Sequence, residues 1–146
     1  MKKQLLLMCV IGALSACSTD GIPRKQTFFS DACQAEVIGY TRTKVRYGDS
    51  YLEVRPVSNV WANTEFQVEL RPRDATRIRS LEVRGDEADE DAGWIRGTGE
   101  GQEDDPSGTI IIVGCVPNAE PGKEYKFDVL VDGVGALDPR ARIISR

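Results

Sequence analysis

Nine carboxylates fall between Asp86 and Asp105 (Asp86, Glu87, Asp89, Glu90, Asp91, Glu100, Glu103, Asp104 and Asp105), with Arg96 the single basic residue among them. Oxygen-rich clusters of this kind suit calcium, which takes 6–8 oxygen ligands. The spacing departs from the D-x-[DN]-x-[DN]-G loop with its later glutamate. Like-charged carboxylates in a glycine-containing loop also need no ligand, because water solvates them. Asp86, Glu87, Asp89, Glu90 and Asp91 are therefore candidates for ligand or partner binding, with a solvated loop as the plainer reading. Gly97-x-Gly99-x-Gly101 reads as a glycine-rich turn inside this loop, and its acidic neighbours would repel phosphate. Just before it, Arg71, Arg73, Arg77, Arg79 and Arg84 form a basic stretch. Arg71 and Arg73 share a face at strand spacing and could hold anionic headgroups, phosphates or an acidic partner. The plainer reading makes them solvent-facing residues, some paired with nearby carboxylates.

Catalytic designs are few. The chain has no histidine, which removes Ser-His-Asp and Cys-His nucleophile activation and histidine-containing zinc sites. No P-loop and no G-x-G-x-x-G occurs. A carboxylate-pair glycan hydrolase stays chemically open, although no two acids are marked out as its pair. No catalytic residue, metal site or cofactor is assigned.

The first residues look like an address. Lys2 and Lys3 precede Leu5–Ala16, an apolar stretch broken only by Gly12 and Ser15. A membrane-spanning helix needs about 20 apolar residues, so a basic head and a short apolar run suit a secretory signal over residues 1–16. The run closes Leu14-Ser15-Ala16-Cys17, which resembles the lipobox of bacterial lipoproteins. That resemblance implies cleavage before Cys17, a diacylglyceryl thioether on its sulfur and acylation of the new amino group. Ser18, in place of Asp, implies by the same resemblance transfer to the outer membrane. The expected partners are then the membrane, through the lipid, and an envelope protein. Loss of Lys2 and Lys3 leaves 17 basic and 23 acidic side chains, a net charge of −6. Such a balance does not favour nucleic acid, whose binding needs a basic patch for counterion release.

Cys9 falls within the signal and Cys17 is assigned to lipid, so Cys33 and Cys115 remain. In an oxidising compartment they are expected to form a disulfide, closing a loop of about 82 residues for about 4–5 kcal/mol on the chain-entropy model.

The elements that would position these groups are strands. Period-two alternation runs through Leu52/Val54, Phe66/Val68/Leu70, Leu81/Val83 and Tyr125/Phe127/Val129/Val131, placing one face in a core and the other in water. Ile110–Val113 is continuously apolar and suits a central strand buried on both faces. Trp94 with Ile95 reads as a short strand plugging the core, with an exposed binding anchor as the alternative. Trp61 invites the same two readings. Asp132-Gly133 signals a type I′ hairpin. Strands are expected near 35–41, 43–47, 50–57, 64–71, 78–84, 92–96, 109–116, 124–131 and 134–144, some of them merged, with one short helical turn within 71–80. Seven or eight short strands predict an all-β fold, a two-sheet antiparallel Greek-key sandwich. Residues 121–129 with Leu137-Asp138-Pro139-Arg140 resemble the closing strands of cupredoxin-like and other Greek-key sandwiches of small bacterial proteins, without copper ligands, and the expected sandwich is cupredoxin-like or immunoglobulin-like. The expected organisation is a signal over 1–16, a lipidated tether over 17–31 and a sandwich domain over 32–146. A stable body with no assembled catalytic parts points to a non-catalytic binding or scaffolding role in the envelope. A calcium or small-ligand module at 86–105 and a carboxylate-based hydrolase are the alternatives.

Overall fold

The computed structural model describes residues 23–48, 50–71, 80–88, 90–100 and 108–146. Its strands are β1 (Phe28–Ser30), β2 (Ala35–Val37), β3 (Tyr40–Tyr47), β4 (Leu52–Glu53), β5 (Val57–Val60), β6 (Glu65–Leu70), β7 (Ser80–Gly85), β8 (Arg96–Glu100), β9 (Ile110–Cys115), β10 (Glu124–Val131), β11 (Gly135–Leu137) and β12 (Arg140–Ile143), with a 3-10 turn at Ala92–Trp94. One sheet runs β5-β12-β10-β7-β8, with β11 also on β10. The second runs β4-β3-β6-β9, and β1-β2 form a separate ribbon.

The fold is an all-β sandwich whose inner faces follow the alternation in the sequence. Thr41, Thr43 and Val45 of β3, Phe66, Val68 and Leu70 of β6, and Tyr125, Phe127, Val129 and Val131 of β10 are all buried. Phe66 of one sheet meets Phe127 of the other edge-on, with centroids 5.3 Å apart. Trp94 closes the same cluster against Phe66 and Phe127 at 5.7 and 5.8 Å. Edge-to-face aromatic contacts suit the ring quadrupole and add to the burial of large apolar area.

Several expectations need correction. The sheets are mixed rather than wholly antiparallel: β3 pairs β6 in parallel, and β12 pairs β5 in parallel. The strand expected over 50–57 is two strands in different sheets. Pro56 lies between them, has no N–H for a ladder and restricts the residue before it. Its carbonyl instead accepts the Arg140 N–H at 2.9 Å. The strand expected over 134–144 divides around Asp138-Pro139 into β11 and β12. At the β10–β11 turn only Gly133, with φ of +73°, takes the left-handed region, so the turn is not type I′, which needs positive φ at both central residues. Ile110–Val113 is not buried on both faces. Its strand lies at the edge of the four-stranded sheet, and Ile111 and Val113 face outward. The helical turn expected within 71–80 falls largely on residues 72–79, outside the described residues.

The strand expected over 92–96 is the 3-10 turn, followed by Ile95 in a single bridge to Gly114 that joins the two sheets. The glycine-rich stretch after it is not a turn but β8, antiparallel to β7. A Cβ on Gly97 would stand 2.9 Å from Ile112 Cγ2, and one on Gly99 would collide with Ile110 Cγ2. The glycines let two sheet edges close on each other, a packing role that strand propensity does not reward.

Cys33 and Cys115 are disulfide-bonded, with Cα atoms 4.9 Å apart. The bond ties the β1–β2 ribbon to the end of β9. Replacing both cysteines by serine is expected to lower stability by about 2–5 kcal/mol, read from the urea midpoint under non-reducing conditions. Gly99→Ala is expected to lower that midpoint by about 1–3 kcal/mol of overpacking, with an unchanged denaturant slope.

Candidate functional site: the outer face of the four-stranded sheet

Glu65, Gln67 and Glu69 alternate with the inward Phe66, Val68 and Leu70 on β6, so they point away from the core. Two of them are nevertheless buried, and Glu69 is only 2% exposed. A carboxylate removed from water must find charge or hydrogen-bond partners, and a continuous chain of side chains supplies them. Ser30 Oγ donates to Glu65 Oε1 at 2.9 Å, and Gln67 Nε2 donates to Glu65 Oε2 at 2.6 Å. Arg42 on β3 then donates through Nε and Nη2 to Gln67 Oε1 at 2.8 and 2.6 Å. Its remaining nitrogen, Nη1, lies 3.0 Å from Glu69 Oε2, and Arg71 Nη2 lies 3.4 Å from Glu69 Oε1. The planar guanidinium fork lets one side chain bridge two residues of the neighbouring strand.

The ribbon closes one end of this face. Residues 23–31, assigned above to the tether, carry specific contacts with the domain. Pro23 and Ser30 are buried, and the Arg24 N–H donates to the Tyr40 carbonyl at 3.1 Å. A Cβ on Gly39 would collide with the Arg24 carbonyl oxygen, so the chain crosses here only because residue 39 has none. Phe28 packs edge-on against Tyr40 at 6.1 Å. The guanidinium groups of Arg24 and Arg42 lie 5.0 and 5.7 Å from the same ring centroid, within cation–π range.

Around this chain the face is uneven in character. Lys44 and Arg46 continue outward along β3 beyond Arg42. Together with Tyr51, Glu53, Glu69 and Arg71 they line a cleft of about 370 Å³. On the other flank, Ile111 sits opposite Glu69 and Val113 opposite Gln67, exposed by 44% and 39%.

The residues singled out in the sequence are dispersed. Arg71 belongs to this face, whereas Arg84 lies on the opposite sheet beside Asp128, with Nε 3.4 Å from Oδ2. Asp86 Oδ1 accepts the Ala88 N–H at 3.0 Å, an Asx-type turn. Glu87, Glu90 and Asp91 are exposed. Glu100 ends β8 beside an open depression of about 860 Å³ that also includes Glu82, Thr98, Leu130 and Asp132. Among the described residues, no three potential ligands group closely enough to hold a metal ion. Trp94, a candidate anchor, is buried in the aromatic core, and Trp61 is buried too. Arg73, Arg77, Arg79, Asp89, Glu103, Asp104 and Asp105, like Cys9 and Cys17, fall outside the described residues. On the outer face of the six-stranded sheet, hydrogen bonds from Arg142 and Arg140 hold the Glu124 carboxyl below its ordinary pKa.

The Arg42 chain was not singled out in the sequence. Its one signal is the polar series Glu65-x-Gln67-x-Glu69-x-Arg71, which by itself describes any solvated strand face. The scan against protein-family models and the search of curated proteins both find no match to this chain.

Arg42→Ala is expected to cost about 1–3 kcal/mol, since it removes the ion-pair partner 3.0 Å from a buried carboxylate. Arg42→Lys is expected to recover less than half of that loss, because one ammonium cannot reproduce three donors in a plane. Urea unfolding of the three proteins measures both.

Proposed function

We propose that this chain is an exported lipoprotein, held through an acylated Cys17 on the periplasmic side of the outer membrane. It works by binding or scaffolding within the envelope rather than by catalysis. The signal over 1–16 and the lipobox-like Leu14-Ser15-Ala16-Cys17 support the address. The observation that carries the binding role is the outer face of the four-stranded sheet. There a braced polar chain, Ser30-Glu65-Gln67-Arg42-Glu69-Arg71, lies between exposed cations and exposed apolar side chains. A rigid face with both kinds of group can recognise a partner without first ordering its side chains. A ligand role for 86–105 has less support, since its described acids stand apart.

A palmitate analogue is expected to label the protein in cells, and Cys17→Ser is expected to abolish both labelling and membrane fractionation. Unchanged labelling in Cys17→Ser sinks the anchor. A photo-crosslinker at Ile111 is expected to capture an envelope component, lipid or protein, that one at Lys126 on the opposite sheet does not. Identical capture from both positions sinks the assignment of this face.

A further inference from the structure

The large apolar side chains left exposed among the described residues are Phe29, Tyr51, Ile111 and Val113, and their placement is not scattered. Ile111 and Val113 project from the outer face of the four-stranded sheet. Tyr51 lines the cleft on that face. Phe29, 61% exposed, lies between Phe28 and Ser30, which both turn toward the domain to meet Tyr40 and Glu65. Alternation along β1 therefore turns Phe29 outward, over the same face. The cations follow the same geometry: Arg42, Lys44 and Arg46 occupy alternate positions of β3, with Arg24 at one end and Arg71 at the other. Glu65 and Glu69 are covered by their partners. The exposed carboxylates among the described residues here are Asp31, which follows β1, Glu36, opposite Phe29, and Glu53, opposite Arg46.

Chain length selects the occupant of this face. Pro23 is buried and Arg24 is bonded to the start of β3. Six residue steps separate Cys17 from Pro23, and whatever their conformation they span at most about 22 Å. A lipid on Cys17 thus holds the ribbon end of this face within about the length of β3 from the bilayer. Cations beside outward aromatic and aliphatic side chains are the composition that binds an anionic lipid interface.

We infer that the outer face of β4-β3-β6-β9 docks on the anionic phospholipid headgroups of the membrane to which Cys17 is anchored, so that the domain lies against the bilayer. Phe29, Ile111 and Val113 enter the interface, and Lys44 and Arg46 meet phosphate. The inference rests on the proposed anchor, and its test separates the two.

The experiment is lysine footprinting of the full-length protein purified from membranes. It is placed on vesicles of phosphatidylcholine alone or of phosphatidylcholine mixed with phosphatidylglycerol. A water-soluble acetylating reagent is followed by mass spectrometry, which also reports the acyl chains on Cys17. Each basic side chain brought to an anionic surface raises occupancy by about fivefold. Lys44 labelling is expected to fall by at least about that factor on mixed vesicles, while Lys123 and Lys126, at the opposite sheet, keep their rates. High salt is expected to reverse the protection. Arg46→Gln with Ile111→Ser, two exposed changes, is expected to return Lys44 to its rate on phosphatidylcholine. Acylated protein with equal Lys44 labelling on both vesicles overturns the docking and leaves the anchor standing. So does protection of Lys126 in place of Lys44. An unacylated Cys17 overturns the anchor, and the docking with it.

Discussion

A carboxylate buried on the outside of a sheet is the constraint around which this molecule is arranged. Glu69 and Glu65 are removed from water on a strand whose other side faces the core, and the cost of stranding such groups is several kcal/mol unless they are paired. Arg42 answers for one through a salt bridge and reaches the other through Gln67. The ribbon answers for Glu65 through Ser30. Thus β3 is held to β6 by side chains as well as by its parallel ladder, and the β1–β2 ribbon is held at Ser30, at Arg24 and at the disulfide. Three such unlike attachments confine fifteen residues of chain that have little core of their own.

This arrangement braces the outer face along the Arg42 chain, where most solvent-facing side chains of a sheet are free to reorganise. Long side chains such as arginine lose up to about 2 kcal/mol of rotamer entropy when fixed. At Arg42 that loss has already been met within the fold. For the binding role proposed above, this would be preorganisation: a partner would meet a polar chain already held in place.

The inner half of the architecture was legible from alternation alone. Phe66, Val68 and Leu70, like Tyr125, Phe127, Val129 and Val131, are buried because side chains on a strand take turns between two faces. The strand breaks were less legible. Pro56 marks one, inside a run that otherwise alternates. β8 was hidden because Gly97 and Gly99 carry no hydrophobic signal: the apolar atoms that fill their side of the sheet belong to Ile110 and Ile112. Ile111 and Val113 misled for the opposite reason. A continuous apolar run records affinity for burial, whereas exposure depends on whether another layer covers the strand. The candidate site was almost illegible for a related cause. Charge density points to 86–105, yet among the described residues the buried carboxylates lie on β6, and only the return of β3 and the ribbon in three dimensions makes them unusual.

The parallel pairing of β5 with β12 has a temporal side. β5 lies at the end of its sheet, and its ladder partner there is β12, more than 80 residues later in the chain and the last of the described strands. Val57–Val60 must therefore wait until Arg140–Ile143 has been made before that edge can zip. The six-stranded sheet cannot be completed before Ile143 has been made, and closing so wide a separation is slow because loop entropy is lost before contacts return it. Until β12 is present, Val57–Val60 lacks the neighbour that completes its ladder at that edge.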